Sequence, residues 1–176
     1  MSLALGSGAP EFDLKGVDGE QHALADYGDA EILVLVQSCN HCPYVLAWEA
    51  RMSAIQRDYA DRGVILVAIN SNDAERYPGD SFAAMVGHAE AEAFPFDYLY
   101  DSEQTVAHAL GSERTPEVFV FDRDRQLRYH GAIDDNRDET WVTQNYLRDA
   151  LDAVLAGNAP APADTPAVGC SVKWLP

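Results

Sequence analysis

The chain has 176 residues, 47% of them apolar, enough for one ordinary globular domain to bury a core without disulfide staples. Its 29 Asp and Glu against 12 Lys and Arg leave a formal charge of -17, an acidic surface that repels nucleic-acid phosphates and anionic lipid headgroups and argues against both as partners. The longest apolar run, residues 32–36, is too short to span a bilayer, and the start lacks the basic and long apolar regions of a secretory signal, so the sequence reads as cytoplasmic.

In chain order, residues 8–14 followed by Asp18-Gly19-Glu20 alternate apolar and polar positions around a turn dipeptide, which predicts a short hairpin ahead of the core. Residues 31–37 form an aliphatic run of strand length, as expected of a central strand buried on both faces, and the run ends at Cys39. Over 43–62, Val45, Leu46, Trp48, Ala50, Met52, Ile55 and Tyr59 recur at helical spacing, and Gly63 supplies the stop. Residues 64–69 make a second buried strand. The three elements form a right-handed βαβ unit with parallel strands. Such a unit puts the first cysteines at the carboxyl end of a strand, where open α/β sheets bind ligands.

Residues 70–80 read as a loop, after which Ser81 caps a helix to about residue 92. A short strand or extended connection at 96–100 and a helix from Ser102 to Leu110 follow, the latter closed by Gly111. Thr115-Pro116 introduces a hairpin of strands 117–121 and 126–130. The spacing of Trp141, Val142, Tyr146, Leu147, Ala150, Leu151 and Val154 predicts one final helix over 139–156. These elements give an α/β class: a central mixed β-sheet flanked by helices, with an N-terminal β-hairpin extension and an inserted helical segment. The domain occupies residues 1–157. Residues 158–176 form a Pro/Ala-rich tail, extended over 158–168, whose Trp174 is too costly to leave in water and should pack back onto the domain.

Three cysteines are too few and too odd in number for a disulfide framework, but Cys39-Asn40-His41-Cys42 is a C-x-x-C pair between a strand and a helix. A helix N-terminus offers unpaired N–H groups and a positive dipole end to the first sulfur, so Cys39 is the expected thiolate, with a pKa in the range of about 3.5–7 known for such thiols. A protonated His41 would add to that effect; a solvent-facing turn residue is the alternative. Zinc is disfavoured. No second C-x-x-C or H-x-x-x-H exists to complete four ligands, so neither a metal nor an organic cofactor is expected. Asn70, Asn72 and Asp73, on the same sheet edge, are candidates to line a groove or simply to build turns. Cys170 is either an unpaired surface thiol or a residue able to resolve an oxidised Cys39.

The C-N-H-C-P run between strand and helix, with Thr115-Pro116 before a later strand, resembles the thioredoxin superfamily. The hairpin pattern G-x-A-P-x-F-x-L and the helical insert after Asn70 resemble its alkyl hydroperoxide reductase and thiol-specific antioxidant (redoxin) branch. The resemblance implies a thioredoxin-like fold and thiol–disulfide exchange by Cys39 and Cys42. It also implies a cis-proline at Pro116 facing the pair, substrate contacts from the Thr115 backbone, and Asn40 and His41 at the substrate side. The implied partners are a disulfide-containing protein or small-thiol substrate and a thiol electron donor, with oligomeric state left open. The chain departs from the relatives in having no acid on the strand before Cys39, and Ile32 and Val36 where peroxidases carry P-x-x-x-T. A peroxidase with Cys39 as peroxidatic cysteine and a non-enzymatic redox sensor or binding module are the rival readings.

Overall fold

Alternation around the Asp18-Gly19 turn folds Asp13–Gly16 (β1) back on Gln21–Ala23 (β2), and β1 joins the main sheet by pairing antiparallel with Asp97–Tyr100 (β5). The computed structural model describes residues 1–176. At the centre, Ile32–Ser38 (β3) pairs parallel with Val64–Asn70 (β4) and antiparallel with Glu117–Phe121 (β7). Leu127–Gly131 (β8) adds beyond β7, giving the seven-strand order β2-β1-β5-β4-β3-β7-β8. The mixed sheet with helices on its faces is the thioredoxin-like fold.

Helices cover both faces because the central strands are apolar on both. Ile32, Val34 and Val36 face one cluster with Trp48, Met52, Ile55 and Tyr59 of the helix Pro43–Tyr59 (α1) and with Leu147 and Leu151 of Tyr146–Leu155 (α4). Leu33 and Leu35 face the other, with Val106 and Leu110 of Thr105–Leu110 (α3) and with Phe12 and Leu24. Each such side chain withdrawn from water contributes about 1.5–3 kcal/mol before entropy is counted. α1 directly follows the β3–cysteine junction, with Pro43 at its first position and Cys42 as its N-cap residue. Phe82–Ala91 (α2) starts at Ser81, whose hydroxyl accepts from the Ala84 N–H at 3.2 Å.

The structure corrects two helix starts and adds contacts along the tail. The final helix begins at Tyr146: residues 139–141 form only a short 3-10 turn, and Trp141 is 71% exposed. Asp135 draws the intervening segment off the helical path, accepting from the Thr143 N–H at 2.8 Å while its own N–H donates to the Gln144 carbonyl at 3.1 Å. α3 is capped by Asp101 and starts at Thr105, since the Asp101 carboxylate, buried at 1% exposure, accepts the Val106 and Ala107 N–H groups. Finally, the tail does not merely run extended. His130 N–H donates to the Ala163 carbonyl and Thr165 N–H to the His130 carbonyl, so the segment lines the outer edge of β8 and masks it. Farther on, Cys170–Ser171 (β9) pairs antiparallel with Arg114–Thr115 (β6), and Trp174 stacks on His108 with ring centroids 4.5 Å apart. No helix is long and apolar enough to cross a membrane.

Candidate active site

β3 ends at Ser38, and the next four residues turn from the sheet edge into α1, so Cys39 and Cys42 meet at the carboxyl end of the strand. Both are 2% exposed. The second strand that builds the site is β6–β7, interrupted by a cis bond between Thr115 and Pro116. Thr115 is fully buried and faces both sulfurs: its Oγ1 lies 3.5 Å from Cys39 Sγ, and its carbonyl oxygen 3.4 Å from Cys42 Sγ. Pro116 is buried beside it.

The electrostatics couple the two thiols. Because α1 begins at Pro43, the residue at its N-terminus is Cys42, and Cys39 stands a turn outside it. The Cys39 thiol faces Cys42 and lowers it most; burial opposes this, but the Cys170 thiol and the N–H groups of Val45 and Cys170 add to the lowering, and Cys42 is pushed down to about 4. Cys39 goes the other way. Its proton is held by Cys42, burial disfavours its charge, and the carboxylate of Asp80 repels it, so its pKa lies above the ordinary thiol value in spite of the Thr115 hydroxyl. With both protons present Cys42 donates to the Thr115 carbonyl; because each thiol is the other's largest perturbation, the pair titrates as a unit, and loss of the first proton leaves one proton shared between the two facing sulfurs.

Asp80, which the sequence showed only as part of a Pro-Gly-Asp loop, is the acid beside the pair and is fully buried. It accepts the Asn40 N–H at 2.7 Å and side-chain amides from Asn70 at 3.3 Å and Asn72 at 2.8 Å. His41 turns toward this carboxylate, with Nδ1 3.0 Å from Oδ2, and stacks on Tyr77 with centroids 6.3 Å apart. Its ring therefore pairs with Asp80, while its side chain remains 46% exposed. Asn40 is committed inward: its amide donates to the Gly79 carbonyl at 2.9 Å, and its Oδ1 accepts from the Tyr98 hydroxyl at 2.8 Å. Asn70, Asn72 and Asp73 are buried as well and serve as a scaffold, Asn72 Oδ1 accepting the Lys173 N–H at 2.8 Å and the Asp73 N–H donating to the Lys173 carbonyl at 2.8 Å.

Cys170 completes the site's surroundings. Strand β9 places it opposite Thr115, and it packs against the Cys39–Cys42–Val45 cluster. The sequence had related it to Cys39; the fold sets it against Cys42. The group best suited to a metal lies elsewhere, at the β1–β2 edge, where ligand atoms of Asp18, His22 and Asp97 come within 4.8 Å of one another. These partly exposed side chains already pair among themselves, His22 with Asp18 at 2.9 Å and with Asp97 at 3.5 Å.

Comparison with known proteins agrees with this architecture. A structure of a hypothetical protein from Sinorhizobium meliloti superposes with a TM-score of 0.94 at 37% identity, covering 99% of this chain and 97% of that one. An uncharacterized conserved protein from Geobacillus kaustophilus gives 0.93 at 43% identity over 98% and 93% of the two chains. The thiol-disulfide oxidoreductase ResA of Geobacillus thermodenitrificans is 24% identical over 129 residues, 72% of this chain and 68% of its own length. Residues 5–130, which hold the hairpin, both cysteines and the Thr115–Pro116 segment, match the model of the AhpC/TSA family, and the chain belongs to that family.

Proposed function

We propose that this protein is a thiol–disulfide oxidoreductase that reduces disulfides through Cys39 and Cys42, without a metal or organic cofactor. The observation that carries the reading is the contact of two buried thiols at the carboxyl end of β3, held against the backbone of Thr115. In the reductive direction Cys39 Sγ attacks a substrate disulfide while its proton passes to the Cys42 thiolate. One substrate sulfur leaves as a thiolate. Cys42 then attacks Cys39 Sγ, its proton going to the departing second sulfur, and the products are a reduced substrate and a Cys39–Cys42 disulfide. Asn40 and His41 border the attacking sulfur, while the Thr115 backbone, implied by the resemblance to contact substrate, is instead paired with β9 and positions the two cysteines.

The substrate class is a disulfide-containing protein or a small-molecule disulfide, and a thiol donor regenerates the dithiol. A cytoplasmic setting belongs to the proposal, since glutathione and thioredoxin pools keep thiols reduced there. The test is reduction of insulin disulfides in the presence of dithiothreitol. The wild type should accelerate it, and Cys39→Ser should abolish the acceleration. No acceleration by a protein whose Cys39–Cys42 disulfide forms normally would refute the reading, and Cys39-dependent consumption of peroxide in its place would replace it with a peroxidase.

A further inference from the structure

The exchange above uses two thiols, yet the fold brings three together. Cys170 belongs to a tail that is built onto the site by many contacts rather than resting there. β9 pairs with β6 so that Cys170 opposes Thr115, and the Val172 N–H donates to the Glu113 carbonyl at 3.1 Å. Lys173 is clamped from both sides: its N–H donates to Asn72 Oδ1 at 2.8 Å, and its carbonyl accepts the Gln104 amide at 2.9 Å. The Leu175 N–H returns to Gln104 Oε1 at 2.9 Å. Upstream, Gly169 approaches the sheet so closely that a Cβ there would lie 2.1 Å from the Thr115 carbonyl oxygen. These contacts fix the Cys170 side chain against Cys42.

We propose that Cys170 is a third exchange thiol, which attacks Cys42 in the oxidised pair and moves the disulfide from Cys39–Cys42 to Cys42–Cys170. The proposal rests on the reading of Cys39 and Cys42 as a redox pair. In the step the Cys170 sulfur bonds to Cys42 Sγ, the Cys39–Cys42 bond breaks, and Cys39 leaves as a thiolate that takes up the proton lost by Cys170. The protein keeps the same number of electrons, so no outside oxidant or reductant enters until the thiol donor arrives.

Two features of the site favour this direction. In the reduced state burial and the Cys42 anion push the Cys170 thiol up to about 11 and keep it idle, while Lys173 and Arg114 pull the other way. Once Cys42 is in a disulfide its charge is gone, and the two cations act on Cys170 unopposed by it. The second feature is access. Cys39 and Cys42 are each 2% exposed, whereas Cys170 is only half-buried, so the moved disulfide presents a sulfur that a donor thiol can reach.

Disulfide mapping of the full chain tests the idea. Cys39→Ser treated with oxidised glutathione should release glutathione and close an intramolecular Cys42–Cys170 disulfide, found by peptide mass analysis without reduction. A protein left with a glutathionylated Cys42, or with both thiols free, would overturn the proposal. The wild type guards against a folding defect in the variant. Treated with oxidised glutathione, acid-quenched and alkylated, it should yield molecules with Cys42–Cys170 joined and Cys39 alkylated, and Cys170→Ser should lose that species. Finding only Cys39–Cys42 in the wild type would overturn the proposal, whereas failure to reduce insulin with Cys42–Cys170 present would remove the proposed substrate class and leave the relay standing.

Discussion

Replacing Gly169 with alanine separates the docking of the tail from the chemistry of the cysteines. The added methyl would fall 2.1 Å from the Thr115 oxygen and 2.6 Å from its carbonyl carbon, and both belong to backbone that is fully buried. No flexible side chain is there to yield, so β9 must lift from β6. Lifting re-exposes Val172, which is 3% exposed and worth about 1.5–3 kcal/mol, and gives up backbone hydrogen bonds worth about 0.5–1.5 kcal/mol each. If partial relaxation leaves a net loss of about 2 kcal/mol in local closure, the open population grows roughly 30-fold. The assay is the rate of iodoacetamide alkylation of the reduced protein, read at Cys39 and Cys42 by peptide mass analysis in a Cys170→Ser background, with circular dichroism to confirm that the sheet persists. Alkylation of both cysteines within about twofold of the parent would show that the tail does not cover them.

Three further outcomes follow from the electrostatics. The ultraviolet thiolate absorbance of the reduced protein should rise through about pH 4 and shift to higher pH in Cys42→Ser, which removes the coupled partner; an absence of thiolate below neutral pH would refute the coupling of the pair. Asp80→Asn removes the carboxylate that repels a charged Cys39, so in a Cys42→Ser background the pH profile of Cys39 alkylation should move down by roughly one unit, and an unmoved profile would exclude that coupling. For His130, burial lowers the pKa, but hydrogen bonds to Glu117 at 2.6 Å and Asp164 at 3.2 Å outweigh it and the net shift is upward. The protonated ring therefore adds stability that is complete below its unfolded pKa of about 6.5 and is lost as pH rises through the higher folded value. His130→Gln should flatten that part of the urea-midpoint profile, costing roughly 1–3 kcal/mol on the acid side, and identical slopes in the two proteins would contradict it.

Local pattern alone carried much of this protein. The aliphatic run of β3, the helical spacing of α1 and the two cysteines between them define the strand–helix junction, because their periodicities and stop signals act within a few residues. The Ser81 cap and the β7–β8 hairpin were legible for the same reason. The predicted long final helix failed at Trp141 because the Asp135–Thr143 hydrogen bond, invisible to a periodicity argument, outweighs the continuing apolar spacing. What tertiary structure decided lies in contacts between distant segments. Asp80 looks like an ordinary turn residue until the loop after β4 folds over the cysteines and the Asn40 N–H meets its carboxylate. Likewise, nothing near Cys170 tells which cysteine it serves; the pairing of β9 with β6 and the clamp on Lys173 direct it to Cys42. The start of α1 at Pro43 puts the helix N-terminus at the second cysteine. Sequence thus named the candidate cysteines, while the protonation and cover of each depend on charges and strands brought together only by the folded chain.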